Sequence, residues 1–332
     1  KEYVAVDCSP KELADLFTMS GSEVDSITEL GKELDGVVVG HITSVNPHPN
    51  ADKLSLCTVD TGSTTCAIVC GAQNMKPGDK VPLALTGATL PSGITIKKAK
   101  IRGERSEGML CSDVELGLGN DGSGIMILSP DTRVGQPLAE TLDLKDVIFE
   151  IGLTPNRPDC LSLIGLAREL AALTGKPLHL PSSPITEQGE DISKLTSVTI
   201  DDPDLCPRYC ARIISDVTIG PSPLWVRRRL EACGMRAINN VVDVTNYVLL
   251  EMGQPLHAFD LKLLDQEKIV VKRAHPGTSF TTLDDKERKL PEDALMICDG
   301  SKPIALAGIM GGLNTEVSEQ TTRLLLESAY FT

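Results

Sequence analysis

Aromatic residues and long apolar runs are both scarce in this 332-residue chain. Phe, Trp and Tyr together make up 3% of it. No stretch approaches the roughly 18 consecutive apolar residues that a membrane helix needs, so the sequence predicts no membrane span. A basic and then apolar leader is also missing, which argues against secretion. Lys1 stands where a methionine would start a protein, and residues 324–332 stop within a strand-like pattern, so we expect both ends to be cuts in a longer chain.

Cysteine spacing of the zinc-binding kind is absent as well. The ten cysteines are scattered and include no C-x2-C pair, so no metal site is predicted. Two pairs, Cys66/Cys70 and Cys206/Cys210, are four residues apart in apolar runs, and strand alternation predicts each pair on one buried strand face. Free core thiols indicate a reducing, cytoplasmic compartment.

Positive charge is in deficit. The formal net charge of −14 opposes general electrostatic binding of nucleic acid, and no DNA binding is expected. Residues 97–105 depart from this balance, with five basic residues against one acidic residue. The basic residues are Lys97, Lys98, Lys100, Arg102 and Arg105. They form either a solvated surface strand or a contact for phosphate groups, and composition alone favours the solvated surface.

Turn residues divide the first half of the chain into a short helix and a β-rich region. Ser9 and Pro10 predict the start of a helix that ends near Ser20. Residues 37–147 alternate short apolar runs with Gly, Pro, Asn and Asp turns. This pattern predicts six strands closed into a small β barrel, with a brief helical piece around residues 112–118. The six runs are VVVGHITSV, KLSLCTVD, TTCAIVCG, DKVPLAL, GITIKKAKI and GIMILS.

The second half mixes helices and strands. A helical pattern covers residues 160–174 and ends at Gly175, and the polar residues 181–191 predict a linker. Residues 223–235 predict an amphipathic helix. The side chains expected to face inward on it are Trp225, Val226 and Leu230. Runs such as YCARIISDVTI, KIVVKRA and ALMICD predict strands, which makes the chain α+β overall.

Three blocks of sequence resemble a known family. In the β-rich region, NPHPNADKL at 46–54, IVCGAQN at 68–74 and SEGMLCS at 106–112 resemble the OB-fold tRNA-binding domain. That domain is shared by synthetase β subunits, methionyl-tRNA synthetase tails and free-standing tRNA-binding cofactors. TPNRPDCLS at 154–162 and the later VVDVTNYVLLEMGQPLHAFD, IALAGIMGG and LLLESAYF resemble the bacterial phenylalanine–tRNA ligase β subunit. The blocks follow the family's order along nearly the whole chain.

The resemblance implies a multidomain α+β fold. Residues 1–36 and 148–190 would form a split helical domain, with an OB-fold tRNA-binding barrel of residues 37–147 inserted in it. Residues 191–332 would form an α+β editing domain of the B3/B4 type, truncated at its C-terminus.

The resemblance also implies an activity and partners. The family joins phenylalanine to its tRNA with ATP and Mg²⁺, as an (αβ)2 heterotetramer in which the α chain carries out aminoacylation. This chain would then bind the α subunit and the tRNA specific for phenylalanine, and would need no cofactor itself. Its own contributions would be tRNA binding and hydrolytic proofreading of tyrosyl-tRNA. The competing interpretation is a non-catalytic tRNA-binding or assembly module.

Proofreading answers an energetic problem. Tyrosine differs from phenylalanine by one hydroxyl, and an apolar pocket rejects an added hydroxyl by only about 100-fold. A second site that accepts a hydrogen bond from this hydroxyl would favour tyrosine. A carboxylate that is costly to bury without a partner suits that role.

The residues that match the family's editing pocket are Thr245, Asn246, His257 and Glu327. Glu327 would accept the tyrosyl hydroxyl, and His257 would orient water or the ester. The other two would hold the ribose or the ammonium group, and Gly308, Gly311 and Gly312 suit close approach of the backbone to a ligand.

Each of these residues also has a simpler interpretation. Glu327 can be a strand-end carboxylate in solvent, and His257 can be a core histidine bonded to Asp260 or to backbone. A cysteine hydrolase built on Cys233 and His257 would need an activating environment, and no local signature surrounds either residue.

The predicted barrel contains basic side chains but no aromatic side chains. Residues 37–147 contain no Phe, Tyr or Trp, so base stacking is not expected there. With the resemblance added, tRNA contact through the basic segment and a barrel kept for subunit packing are equally favoured. His48 can bind phosphate, although a turn histidine between two prolines is more often structural.

Overall fold

The computed structural model describes residues 2–119 and 122–332. Its α-helices are α1 (Pro10–Met19), α2 (Leu138–Thr141), α3 (Leu163–Thr174), α4 (Leu224–Ala232) and α5 (Asn240–Met252). Its β-strands are β1 (Glu23–Leu30), β2 (Val37–His48), β3 (Ala51–Asp60), β4 (Thr65–Cys70), β5 (Lys80–Leu85), β6 (Ala99–Ile101), β7 (Glu104–Ser106), β8 (Gly108–Leu110), β9 (Asp146–Gly152), β10 (Ser197–Ile200), β11 (Arg208–Ser215), β12 (His257–Asp260), β13 (Lys268–Arg273), β14 (Ser279–Thr281), β15 (Glu287–Lys289), β16 (Leu295–Cys298), β17 (Pro303–Leu306), β18 (Met310–Gly311) and β19 (Arg323–Tyr330).

The chain divides into two compact units. One comprises Lys1–Val24 with Ile151–Thr332, and the other is Asp25–Glu150. The domain boundaries expected from the sequence, which would separate residues 148–190 from residues 191–332, stay predictions. In the described part of the chain, no helix is long and apolar enough to span a bilayer.

The unit Asp25–Glu150 is built on an antiparallel sheet in the order β4-β3-β2-β5-β8. Strand β2 is long enough to pair with β3 and with β5. The two edges meet, because the Glu107 N–H beside β8 donates to the Ala67 carbonyl of β4 at 2.9 Å. This closure curls the sheet into a barrel, and Ile42, Ile68 and Leu83 fill its interior.

Two of the six predicted barrel strands are wrong. GITIKKAKI contributes only the short β6, and GIMILS pairs only through one bridge between Leu128 and Lys80. Two of its apolar residues, Ile125 and Leu128, are buried although the segment forms no strand, so burial explains their pattern and strand pairing does not. The predicted helical piece at 112–118 is a set of turns. The fifth strand of the sheet is β8, whose three residues carry too little pattern to be recognised.

Two of the predicted helices of the other unit, α1 and α3, are confirmed. Ser9 caps α1, and Ser162 caps α3, which ends at Gly175 in the left-handed conformation (φ 68°). Helix α3 packs closely on the loop before it. A Cβ atom on Gly165 would lie 1.6 Å from the Asp159 carbonyl oxygen, so glycine is required at this contact.

Two main sheets follow in the same unit. One is mixed, in the order β10-β13-β16-β17-β18, with β10 parallel to β13. The other is antiparallel, in the order β11-β19-β12. Phe259, Ile269 and Leu325 belong to one core cluster built from both sheets. The antiparallel sheet, with β19 at its centre, positions the candidate site.

Helix α4 differs from its prediction at one residue. Val226 and Leu230 are buried as expected, but Trp225 is 54% exposed. Val226 and Leu230 lie about one turn apart and fill the buried stripe, from which Trp225 is rotated by about 100°. The Trp225 ring lies 5.2 Å from the Arg229 guanidinium and meets the ring of Tyr247 edge-on. The inward-facing prediction for Trp225 is therefore wrong.

The two cysteine pairs behave differently. Cys66 and Cys70 lie on one face of β4, as predicted. Cys206 is buried, but Cys210 is exposed, so the shared face predicted for this pair is wrong. The reason is that β11 begins only at Arg208, so strand alternation does not reach back to Cys206. The ten cysteines are free thiols.

Candidate functional site

Two of the predicted pocket residues face each other on neighbouring strands. In the antiparallel pair β12 and β19, His257 lies directly opposite Glu327. On the other side of β19, Ala211 of β11 lies opposite Glu327. Residues directly opposite in a sheet share a face, so the carboxylate has an imidazole on one side and a small methyl group on the other.

The Glu327 carboxylate is buried and bonded to a phenol of the same chain. Glu327 is only 7% exposed. The hydroxyl of Tyr209 donates a hydrogen bond of 2.7 Å to Glu327 Oε2. Burial raises the pKa of Glu327 to about 7, although the bond from Tyr209 acts to lower it. The interpretation of Glu327 as a strand-end carboxylate in solvent is therefore wrong.

His257 is partly buried and packs against an aromatic ring. Its ring meets that of Phe259 edge-on, with 4.6 Å between the ring centres. Burial lowers the pKa of His257 to about 4, so the imidazole is neutral near pH 7. Asp260, which the sequence offered as its partner, instead accepts hydrogen bonds from Thr321 Oγ1 (2.7 Å) and from the Lys262 N–H (3.0 Å). Residue 260 also points to the other strand face, so an Asp260–His257 bond is not formed.

Gly311 makes room for the imidazole. A Cβ atom on Gly311 would lie 2.6 Å from His257 Cε1 and 2.8 Å from its Nε2. The AGIMGG motif therefore serves close packing against a side chain of the site, and the backbone of Gly311 forms part of its wall. The Gly311 carbonyl accepts from the Leu283 N–H at 3.0 Å, which holds this wall in place.

Thr245 and Asn246 lie on a separate element. Both belong to α5, which Asn239 caps and which packs against β12. Thr245 is buried, and its hydroxyl donates to the Val242 carbonyl at 2.7 Å. Within residues 2–119 and 122–332, no hydrogen bond joins Thr245 or Asn246 to the pair on the sheet. The structure thus brings His257 and Glu327 together and places the other two residues on the adjacent helix.

Tyr209 is the site residue that sequence reasoning missed. The alternation in YCARI puts Tyr209, Ala211 and Ile213 on one face of β11, and that face turns towards the core. This pattern could have indicated a buried phenol. It could not have indicated the partner, because Glu327 lies far along the chain.

The basic segment forms an exposed hairpin in the barrel unit. Strands β6 and β7 pair with Lys100 directly opposite Arg105. Arg102 and Gly103 form the turn with φ of 52° and 103°, as a two-residue hairpin requires. The five predicted cations of this segment are all exposed. Lys98 lies 3.1 Å from Glu107 and is partly neutralised by it.

The hairpin is held against the barrel by a buried histidine. The Asn50 N–H donates to His48 Nδ1 at 3.0 Å, which leaves Nε2 to donate to the Ile101 carbonyl at 3.2 Å. Asn50 Nδ2 donates to the Arg102 carbonyl at 3.2 Å. His48 therefore positions the hairpin. A cleft of about 540 Å³ lies beside the hairpin, and Lys97 is among the residues that line the cleft.

Directly opposed like charges need an explanation. Lys100 and Arg105 repel each other across the hairpin, which is destabilising in isolation. An anion between them would relieve this repulsion. The hairpin therefore presents two adjacent, exposed cations to solvent.

Comparison with known proteins gives the class first. Residues 37–137 match the model of a putative tRNA binding domain, and residues 205–332 match the model of the B3/4 domain. The hairpin lies in the first match, and His257 and Glu327 lie in the second. The chain is thus of the class that combines a tRNA-binding domain with a B3/4 domain.

Relatives identify the family. The phenylalanine–tRNA ligase β subunit of Syntrophus aciditrophicus (strain SB) is 59% identical over 331 residues, covering 100% of this chain and 41% of the relative. That of Geobacter sulfurreducens is 58% identical with the same coverage. The chain belongs to the family of phenylalanine–tRNA ligase β subunits, as its motifs predicted, and spans 41% of the length of these relatives.

Solved structures add little. An N-terminal fragment of the phenylalanyl-tRNA synthetase β-subunit from Pyrococcus horikoshii is 16% identical, covers 57% of this chain and 56% of its own length, and has a TM-score of 0.34. That likeness is too low to bear on the fold.

Proposed function

We propose that this chain is part of the β chain of an ATP-dependent phenylalanine–tRNA ligase. In it, the barrel unit binds tRNA and the Glu327–His257 pair hydrolyses mischarged tyrosyl-tRNA. The observation that carries the editing proposal is the bond from the Tyr209 phenol to the buried Glu327 carboxylate at 2.7 Å. This bond supports the proposal, because it shows the Glu327 carboxylate accepting a phenolic hydroxyl, the group that separates tyrosine from phenylalanine.

The chemistry of the pair suits ester hydrolysis without a cofactor. An aminoacyl ester is already activated, so the site has to select the side chain and place a water molecule. His257 is neutral near pH 7, and its low pKa makes it a weak base. Its role is to orient the water or the ester by hydrogen bonding. Thr245 and Asn246, on the helix beside β12, hold the ribose or the ammonium group of the substrate.

The rest of the ligase supplies the remaining activity. Aminoacylation with ATP and Mg²⁺ belongs to the α chain, which joins the β chain in an (αβ)2 heterotetramer in the cytoplasm. The described residues contain no group of three or more His, Cys, Asp or Glu side chains that could hold a metal ion.

Hydrolysis of pre-formed esters tests the editing proposal. Tyrosyl-tRNA and phenylalanyl-tRNA are incubated separately with this chain and with the full-length α/β complex. We expect the complex to remove tyrosine from tRNA selectively, by at least about 100-fold over phenylalanine. If both esters are hydrolysed only at the background rate, the second candidate remains, which is a non-catalytic tRNA-binding or assembly module. The opposed cations of the hairpin also support that candidate.

The hairpin predicts a salt-dependent contact with tRNA. In the α/β complex, Lys100→Ala combined with Arg105→Ala is expected to reduce the slope of log K against log salt concentration by about 1.4, because two contacts at about 0.7 each are lost. Lys98→Ala should change the slope less, since Glu107 already neutralises that charge. Filter binding from low to high salt measures these slopes.

The control for the hairpin is Lys76→Ala, an exposed lysine of the same unit outside β6 and β7. Its slope should equal that of the unmodified complex. If the double variant also keeps the original slope, the hairpin does not contact phosphate and the barrel serves subunit packing instead.

A further inference from the structure

Tyr209 and Glu327 meet diagonally across two strands. In the ladder between β11 and β19, Tyr209 lies opposite Ala329 and Ala211 lies opposite Glu327. Tyr209 and Glu327 are therefore diagonal neighbours on one face, within reach of a long side chain. The small side chain of Ala211 leaves space for the phenol to reach the carboxylate.

The hydroxyl of Tyr209 remains a hydrogen-bond donor. Burial, followed by the nearby Glu327, raises the pKa of Tyr209 well above its usual value. The hydroxyl keeps its proton near neutral pH and donates a hydrogen bond to Oε2 of Glu327. A carboxylate offers two acceptor oxygens. In the part of the chain that the structure describes, no donor bonds to Oε1 of Glu327.

We propose that Tyr209 is a positioning residue for tyrosine selectivity: it holds Glu327 by Oε2 so that Oε1 accepts the substrate's phenolic hydroxyl. This inference rests on the proposed editing function. One carboxylate then binds two phenols, one from the protein and one from the substrate. Without Tyr209 the carboxylate can rotate, and the oxygen offered to the substrate is no longer fixed.

Tyr209→Phe in the full-length α/β complex tests the inference, because it removes only the hydroxyl. We expect kcat/KM for hydrolysis of tyrosyl-tRNA to fall about tenfold, the size of one ordinary hydrogen bond, because Glu327 remains but is no longer oriented. Hydrolysis of phenylalanyl-tRNA should be unchanged, so selectivity falls. Tyr330→Phe, on the exposed end of β19, is the matched control and should leave both rates unchanged.

The pH profile separates positioning from mere support of the fold. The groups that face Glu327 are Tyr209 from β11, Cys206 before it, and His257 from β12. The bond from Tyr209 acts to lower the pKa of Glu327, so its removal should move the acid limb of tyrosyl-tRNA hydrolysis to higher pH. A purely structural tyrosine would change stability and leave this limb in place.

A double variant makes the outcome decisive. If Tyr209 acts through Glu327, Tyr209→Phe has no further effect on hydrolysis once Glu327→Ala is present. Tyrosine-selective hydrolysis that is unaltered or faster in Tyr209→Phe overturns the inference and leaves the editing proposal intact. Absence of selective hydrolysis in the unmodified complex overturns the editing proposal itself.

Discussion

Glu327→Ala in the full-length ligase is expected to lower kcat/KM for hydrolysis of tyrosyl-tRNA by about 100-fold. The substitution removes the acceptor of a charged hydrogen bond, whose loss costs roughly 2–3 kcal/mol. Hydrolysis of phenylalanyl-tRNA should keep its slow rate, because phenylalanine has no hydroxyl to donate. With tyrosine supplied in excess, tyrosyl-tRNA should therefore accumulate. Single-turnover hydrolysis of the pre-formed esters measures the effect.

Two further variants identify the cause. Glu327→Gln keeps the size of the side chain and one acceptor oxygen but not the charge, so an intermediate rate would separate charge from shape. Glu319→Ala removes an exposed carboxylate just before β19 and should behave like the unmodified ligase. Unchanged hydrolysis of tyrosyl-tRNA by Glu327→Ala would remove this residue from the mechanism.

The second large effect concerns stability against pH, because Glu327 and His257 act in opposite directions. The pKa of Glu327 is raised from 4.5 to about 7, so the folded chain holds a proton that the unfolded chain has lost. Its contribution to stability is lost as pH rises between these values. The pKa of His257 is lowered from 6.5 to about 4, so its contribution is present above pH 6.5 and lost as pH falls towards 4.

The two contributions offset each other in the unmodified chain, and single variants should expose them. From pH 4.5 to 7, the free energy of unfolding of His257→Gln, relative to the unmodified chain, should fall by about 3 kcal/mol. That of Glu327→Gln should rise by a similar amount, about 3 kcal/mol. Urea unfolding followed by the fluorescence of Trp225, the single tryptophan, reports on the unit that contains both residues.

Glu319→Gln is the control for this experiment, because its carboxylate is exposed. Its stability curve should run parallel to that of the unmodified chain. Parallel curves for His257→Gln and Glu327→Gln as well would show that neither side chain changes its pKa on folding. The opposite pKa shifts of His257 and Glu327 would then be wrong.

Local signals were sufficient for several elements. Ser9 before Pro10 predicted the start of α1, and Gly175 predicted the end of α3, because caps depend on residues within one turn. Apolar pattern alone misled at GIMILS, where Ile125 and Leu128 are buried without forming a strand. It misled again at Trp225. The spacing of apolar residues indicates which side chains are buried more directly than it indicates which strands pair by hydrogen bonds.

The sequence by itself determined the family, the caps of α1 and α3, and the run of basic residues between Lys97 and Arg105. Each of these depends on residues close together in the chain or on complete sequence motifs. Only the tertiary structure decided that Glu327 lies opposite His257 and that Tyr209 bonds to Glu327. Strands β11, β12 and β19 come from distant parts of the chain. Their register arises from pairing between them, and the ionisation of the site arises from the burial that this pairing produces.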